Sequence, residues 1–161
     1  MEIVILGNDV LRQTAAPVAD INGEIKDLAN RMIETMVRGK GIGLAAPQVG
    51  LASRLFVVGI EGDVPRVFIN PSLLQTSEDL SDYEEGCLSI PGVYSKVSRS
   101  ANIRIQAWNE RGRPFTLDAD GLLARVILHE YDHLEGVLFI DRLSEMKRDR
   151  LLKQYEKRMR A

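Results

Sequence analysis

The sequence is poor in cysteine, in histidine and in long apolar runs. Cys87 is the only cysteine among 161 residues, so no disulfide can form within the chain, which fits a reducing compartment. No apolar run reaches the length that spans a membrane. The first residues, MEIVILGNDVLRQ, lack the basic start and the small-residue cleavage site of a signal peptide. We therefore expect a cytoplasmic protein.

Charge is also nearly balanced, with a formal net charge of -2. This value predicts no general attraction to nucleic acid or to anionic lipid, so we expect neither DNA nor a membrane as a partner. A composition of 45% hydrophobic and 27% charged residues is typical of a globular protein. Because 161 residues suit one core of ordinary size, we expect a single domain over residues 1–161.

Short strand patterns and longer helical patterns follow one another without regular alternation, which favours an α+β fold over a parallel α/β sheet. Apolar spacing and capping residues predict three helices: 23–38, 121–135 and a last one after Ser144. Apolar, β-branched segments predict strands over 54–60, 65–70 and 102–108, with 112–120 returning antiparallel to the last. In the last helix we expect these side chains to face inward: Met146, Leu151, Leu152, Tyr155 and Met159.

Both histidines of the chain lie four residues apart in the apolar helix 121–135, as His129-Glu130-x-x-His133. Residues at this spacing lie on the same face of a helix, so both imidazoles can reach one point. They could be two core histidines bonded to backbone carbonyls. A metal site is favoured, because two buried imidazoles repel one another once protonated unless an ion binds their lone pairs. Glu130 then stands where a general base would, rather than being a solvated surface carboxylate.

A catalytic site needs a third protein ligand, and no third histidine exists. The candidates are a downstream carboxylate and Cys87. A lone cysteine is usually a small buried hydrophobe, but the glycines around Cys87 let the backbone approach a ligand. One sulfur and two nitrogens suggest zinc, with iron, cobalt or nickel as alternatives. Asp132 has two open interpretations: a hydrogen-bond partner of a ligand imidazole, or ordinary helix surface.

Three segments carry a resemblance to a known family: GIGLAAPQVG (41–50), EGCLSIPG (85–92) and HEYDHLEG (129–136). In this order and spacing they resemble the motifs of the peptide deformylase family, and the likeness covers nearly the whole chain. It implies antiparallel sheets packed around a central metal-binding helix, with an N-terminal and a C-terminal helix. One departure is Leu128, where many bacterial members have Gln; it is not a ligand position, but it affects local packing and inhibitor fit.

The resemblance implies a bacterial enzyme that removes the N-formyl group from the initiator methionine of nascent polypeptides and releases formate. It assigns one divalent metal ion to Cys87, His129 and His133, with Fe2+ expected in the cell and Zn2+, Ni2+ or Co2+ able to replace it. A water on the metal would attack the formyl carbon while Glu130 takes its proton and later passes it to the leaving amine.

The resemblance also assigns roles around the substrate. The Gln48 side-chain amide and the Leu88 backbone N–H would stabilise the oxyanion, although a loop Gln can equally bond local backbone. Gly43 would let the substrate backbone lie close, or it marks a plain turn. Ile42 and Leu88 would line a pocket for the methionine side chain, although most such residues belong to a core.

The segment 144–160 is locally basic. Such a segment is usually a solvated helix face with i,i+4 ion pairs, whereas the resemblance implies a helix that docks on the ribosome. Around this segment eight cationic residues outnumber three acidic ones: Arg142, Lys147, Arg148, Arg150, Lys153, Lys157, Arg158 and Arg160, against Glu145, Asp149 and Glu156.

Two other functions remain open from the residues alone. His-Glu-x-x-His is also typical of zinc endopeptidases, although the short chain and a cysteine ligand weaken that interpretation. A metal-stapled binding module without chemistry is the second alternative. Glu130 and Gln48 argue against it, because a structural metal site needs neither a base nor an oxyanion donor.

Overall fold

The computed structural model describes residues 1–161 and has three α-helices and seven strands. In chain order these are α1 (Gly23–Arg38), β1 (Gly43–Ala45), β2 (Leu55–Val58), β3 (Arg66–Thr76), β4 (Leu80–Cys87), β5 (Ile90–Ser100), β6 (Asn102–Trp108), β7 (Pro114–Asp120), α2 (Gly121–Leu134) and α3 (Glu145–Arg160). Short 3-10 turns cover Asp9–Arg12, Ala46–Val49 and Phe139–Arg142. None of the three α-helices combines the length and the apolar character that crossing a membrane requires.

All strand pairs are antiparallel. Five strands form one sheet in the order β1-β2-β3-β6-β7, and β4 pairs with β5 in a separate two-stranded sheet. The predicted α+β class is confirmed, since helices and antiparallel strands occupy separate parts of the chain.

The five-stranded sheet carries α1 on one face and α2 on the other, and side-chain alternation in β2 shows this directly. Leu55 and Val57 pack in the apolar cluster that contains Met32 and Met36 of α1, while Phe56 and Val58 pack in the cluster of α2. Because both faces are covered, β2 reads as a continuous apolar run rather than an alternating one.

A third apolar cluster joins α3 to the β4–β5 sheet and to the N-terminal segment. Leu151 and Tyr155 of α3 are buried there against Ile90 and Val97 of β5 and against Leu11. The prediction for this helix is therefore right for Leu151 and Tyr155 but wrong for Met146 and Met159, which are 72% and 46% exposed.

Local signals account for most element boundaries. The Asn22 side chain accepts a hydrogen bond from the Ile25 N–H at the start of α1, and Ser144 does the same for Lys147 at the start of α3. Asp120 holds the N-cap position of α2 without a side-chain bond, and Gly136 follows its end with φ +73°. The predicted helix 121–135 is confirmed to within one residue, and the predicted strands 102–108 and 112–120 are confirmed to within two.

Candidate metal centre

Cys87, His129 and His133 meet at one point of the fold, as their assignment to a common ion requires. Cys87 is the last residue of β4, and the two histidines are one turn apart on α2. The sulfur and one ring nitrogen from each imidazole all lie within 4.8 Å of one another. No other group of three cysteine, histidine or acidic side chains in the chain is arranged in this way.

The geometry of this cluster fits a first-row divalent ion. The Cys87 Sγ lies 3.5 Å from His133 Nε2. A sulfur and a nitrogen ligand of one tetrahedral ion, at about 2.3 and 2.0 Å from it, are roughly 3.5 Å apart. His133 is buried, its Nε2 faces the sulfur, and its Nδ1 has no hydrogen-bond partner in the protein. One thiolate and two neutral imidazoles are ligands that Zn, Fe, Ni and Co share.

Glu85 fixes the orientation of His129. Its Oε1 lies 2.8 Å from His129 Nδ1, so this nitrogen carries the proton and Nε2 keeps its lone pair for a metal. The same carboxylate accepts hydrogen bonds from Arg99 Nε at 2.7 Å and from Arg125 Nη1 at 2.8 Å. Glu85 is only two residues from Cys87 along β4, so it links β4, which carries the thiol, to α2, which carries the histidines.

Asp132 belongs to the same buried network, and neither interpretation offered for it is correct. It is buried rather than on the helix surface, and its partners are Arg99 at 2.8 Å and Arg142 at 2.8 Å instead of an imidazole. The imidazole partner is Glu85, which was visible in the sequence only as one of two acids before Cys87. The buried arginines Arg99 and Arg125 had no local sequence signal at all.

The charges around the cluster favour a bound cation. Burial alone would lower the pKa of His129, but the neighbouring Glu130, Cys87 and Glu85 raise it well above its ordinary value. The negative groups that attract this proton attract a divalent ion for the same reason. For His133, burial and the charge of His129 lower the pKa, which keeps that imidazole neutral and able to bind metal.

The Glu85 carboxyl stays ionised despite its burial. Burial by itself would raise its pKa, but the hydrogen bonds from His129 and Arg99 lower the pKa well below the usual range. Glu85 therefore remains a hydrogen-bond acceptor for the His129 N–H throughout the neutral pH range.

Glu130 lies beside the cluster but outside the donor set. Its side chain is buried, and its Oε2 lies 3.9 Å from His129 Nε2. Burial raises the pKa of the Glu130 carboxyl to about 7. A carboxyl with such a pKa can both accept and release a proton near neutral pH, as general acid–base chemistry needs.

Gln48 is buried beside Cys87. Its Oε1 accepts a hydrogen bond from the Ala45 N–H at 2.9 Å, which fixes the amide orientation. Its Nε2 consequently faces the cluster, 3.4 Å from Cys87 Sγ and 3.2 Å from Ser89 Oγ. Gln48 is held in the 3-10 turn Ala46–Val49, directly after β1.

A cleft of about 380 Å³ opens onto the cluster. It brings together every residue assigned to the site from the sequence except His133. The lining residues include Ile42, Gly43, Gln48, Cys87, Leu88, His129 and Glu130. Ile42 is 43% exposed and Leu88 is half-buried in the turn between β4 and β5, so neither is simply a core residue. Leu128, by contrast, is buried in the apolar cluster between α2 and the sheet.

An α+β fold that aims His-Glu-x-x-His and a thiol into an open cleft defines a mononuclear metal-dependent hydrolase. Comparison with known proteins specifies the family. A model of the polypeptide deformylase family matches residues 1–149. The peptide deformylase of Treponema pallidum (strain Nichols) is 46% identical over 155 residues, which cover 96% of this chain and 95% of the relative. That of Agrobacterium fabrum is 47% identical over 163 residues, with 99% and 96% covered.

Solved structures of peptide deformylases are similar to this chain as well. A peptide deformylase from Legionella pneumophila superposes with a TM-score of 0.93 at 37% identity, covering 99% of this chain and 95% of the other. One from Synechococcus elongatus in complex with actinonin has a TM-score of 0.91 at 45% identity, with 95% and 86% covered. The chain belongs to the polypeptide deformylase family, and the activity of this enzyme is metal-dependent peptide deformylation. The family resemblance seen in the sequence is thereby confirmed.

Replacing Glu85 by Gln tests the role of the carboxylate that holds His129. We expect metal affinity to fall about 10- to 100-fold, because the imidazole loses an ionised partner. Stability of the metal-free protein should fall by roughly 3–5 kcal/mol, because the buried Arg125 loses its only carboxylate partner and Arg99 keeps only Asp132. A chelator competition assay measures the metal affinity, and unfolding in denaturant measures the stability. Glu84→Gln is the matched control, since Glu84 is the exposed neighbour on β4; equal metal affinity in both variants would contradict the assignment.

Proposed function

We propose that this enzyme removes the formyl group from the N-terminal methionine of nascent polypeptides and releases formate. The observation that carries the proposal is the Cys87, His129 and His133 cluster beside a buried carboxylate at the base of an open cleft. The reaction adds water across the formyl amide: a new C–O bond forms, the C–N bond breaks, and the products are formate and a free α-amino group. Because this substrate arises during bacterial protein synthesis, the cytoplasm is the proposed compartment.

Cys87, His129 and His133 are the proposed ligands of one divalent ion. When bound, this ion supplies Lewis acidity, which polarises the formyl carbonyl and makes water a better nucleophile at neutral pH. Fe2+ is the proposed ion in the cell, with Zn2+, Ni2+ or Co2+ able to occupy the same ligands.

Glu130 is the proposed proton carrier. Its buried carboxylate takes a proton from the attacking water and delivers it to the nitrogen of the leaving amine, so one group serves as base and then as acid. The 3.9 Å separation of Glu130 Oε2 from His129 Nε2 puts the carboxylate beside the donor set without making it a ligand.

Gln48 and Leu88 are the proposed stabilisers of the oxyanion that forms on the formyl oxygen. The Ala45 N–H occupies Gln48 Oε1, so the donor end of the amide faces the Cys87 sulfur. The Leu88 backbone N–H follows directly after Cys87 in the turn between β4 and β5. Donors aimed where charge develops typically account for about a hundredfold or more in rate.

The cleft wall suits an apolar first residue of the substrate. Ile42 and Leu88 are the proposed contacts of the methionine side chain, because they line the cleft without being fully buried in it. Because Gly43 has no side chain, it leaves room for the substrate backbone beside β1. This strand is at the edge of the sheet, and its unpaired edge borders the same cleft.

The whole of residues 1–161 is the proposed catalytic domain. Leu151 and Tyr155 of α3 share an apolar cluster with Ile90 of β5, the strand that follows the Cys87 turn. The C-terminal helix is therefore packed onto the part of the fold that presents the thiol ligand.

The ribosome is the proposed partner, through a basic face of α3. Five exposed cationic side chains recur at helical spacing on one side of this helix: Lys147, Arg150, Lys153, Lys157 and Arg160. A positive face on a protein of net charge -2 would orient the enzyme toward ribosomal RNA.

Glu130→Gln tests the proposed reaction directly. We expect the rate of formate release from a formyl-methionyl peptide to fall at least about 100-fold, because an amide cannot carry the proton. Metal content should stay at that of the parent enzyme, since Glu130 is not a ligand. Glu135→Gln is the control, because Glu135 is an exposed residue of the same helix region paired with Arg54. A Glu130→Gln enzyme with undiminished turnover would disprove the mechanism. Mass spectrometry of the peptide would reveal any internal cleavage, which the zinc endopeptidase alternative predicts.

Metal analysis tests the proposed ion. Protein purified without oxygen should contain iron as its main metal, whereas exposure to air should lower both iron content and formate release. Zinc binds such ligands at least as tightly as Fe2+, so the cellular occupant depends on availability and not on affinity alone. Cys87→Ser should bind far less metal in either preparation. Zinc as the main metal in anaerobically purified protein would contradict the assignment.

The ribosome proposal is best tested by substitution, because removing α3 would expose the core around Leu151 and Tyr155. A variant with Arg150, Lys153 and Lys157 replaced by Gln should bind ribosomes about tenfold or more weakly, with a smaller salt dependence. Its activity on a free formyl-peptide should be unchanged. The control is the same charge removal on exposed residues of α1, at 26, 31 and 38. Equal ribosome affinity of the two variants would exclude α3 as the docking surface.

A further inference from the structure

The side chain that Gly43 lacks would occupy the position of the Glu130 carboxylate. A Cβ placed on Gly43 would lie 2.4 Å from Glu130 Oε2 and 2.9 Å from its Cδ, closer than atoms in proteins approach. The next neighbour would be Val126 Cγ1 at 2.8 Å, one helical turn before Glu130. Alternation along β1 explains the direction: Leu44 packs toward α1, so Gly43 and Ala45 face α2.

We propose that Gly43 is a positioning residue for Glu130, and that its missing Cβ is the space in which the carboxylate is held beside the metal ligands. This inference rests on the proposed role of Glu130 as proton carrier. The proposed role of Gly43 is separate from contact with the substrate: the residue at this position of β1 determines where the Glu130 carboxylate lies.

The Glu130 carboxylate depends on this space because hydrogen bonds do not hold it. Its Oε1 is buried and accepts no hydrogen bond from the protein. Its Oε2 is 3.9 Å from His129 Nε2, beyond hydrogen-bond distance. Glu85, in contrast, is held by Arg99, Arg125 and His129 at 2.7–3.0 Å. Because no protein group donates a hydrogen bond to this carboxylate, packing is what the protein itself contributes to the position of Glu130.

An added methyl group at Gly43 would act on the carboxylate more than on the fold. The backbone of Gly43 is not in the left-handed region, so alanine can adopt its conformation. Gly43 is paired with Val58 in the sheet, whereas the end of a glutamate side chain turns about three bonds. Relief of the contact therefore moves the carboxylate by roughly 1 Å, and a misplacement of that size costs about 100-fold in rate.

Two other reasons for a glycine make different predictions. If Gly43 serves only to let the substrate backbone approach, alanine raises KM and leaves kcat nearly unchanged. If Gly43 serves only to let α2 pack closely on β1, the important contact is with Val126. Shortening the Val126 side chain then restores kcat to Gly43→Ala.

Gly43→Ala is the test, with steady-state kinetics on a formyl-methionyl peptide. We expect kcat to fall about 10- to 100-fold while KM changes by less than about threefold. Metal content and the thermal transition should match the parent enzyme. Gly59→Ala is the matched control, because its Cβ would meet only the flexible end of Met36 at 2.7 Å; it should keep full kcat. An unchanged kcat in Gly43→Ala, or an effect confined to KM, would overturn the inference.

One further variant and a crystal structure separate the explanations. Gly43→Ala combined with Val126→Ala should stay as slow as Gly43→Ala alone; recovery of kcat would overturn the inference in favour of helix packing. A crystal structure of Gly43→Ala should show Glu130 displaced and the Cys87, His129 and His133 atoms in place, and an unmoved carboxylate would also overturn it. If Glu130→Gln stays active, the proposed function itself fails. If Glu130→Gln is inactive but Gly43→Ala keeps full kcat, only the role of Gly43 fails.

Discussion

One buried carboxylate, that of Glu85, connects the parts of the chain that form the metal centre. It lies on β4, two residues before the Cys87 thiol, and bonds Arg99 of β5 together with Arg125 and His129 of α2. The thiol ligand and the imidazole ligands belong to different elements, separated by more than forty residues of chain. Because Glu85 belongs to the strand that carries the thiol and bonds the helix that carries the imidazoles, it links the two sources of metal ligands.

Stability alone does not account for such a network. Burying charges costs free energy, and apolar side chains of similar volume are often equally stable in their place. What apolar side chains cannot supply is orientation. An ionised acceptor at His129 Nδ1 fixes the proton on that nitrogen. The hydrogen bonds from His129 and Arg99 keep the Glu85 carboxyl ionised where burial would protonate it. Asp132 of α2 is likewise a buried carboxylate between two guanidinium groups, those of Arg99 and Arg142.

The sequence was informative wherever the cause of structure is local. Helix caps, the i,i+4 histidines and the alternating strands depend on neighbours within a few residues, and those predictions agree with the structure. It was uninformative where the partners are distant. Of β4 and β5, only an extended segment near a turn, 84–93, was predicted. The residues of β4 are mostly polar and exposed, and it is a strand only by pairing with β5. Arg99 and Arg125 were missed because they meet Glu85 across 14 and 40 residues of chain.

Glu85 and Glu130 show two ways in which a protein places a buried carboxylate. A group that orients a ligand gains from being saturated with hydrogen bonds, because each bond fixes it and stabilises its charge. A group that carries a proton cannot be saturated, because its lone pairs must be free to accept that proton. Its position then depends on the shape of the surrounding atoms. In the role proposed for Gly43, a glycine, which contributes only the absence of a side chain, belongs to the catalytic geometry as much as an arginine does.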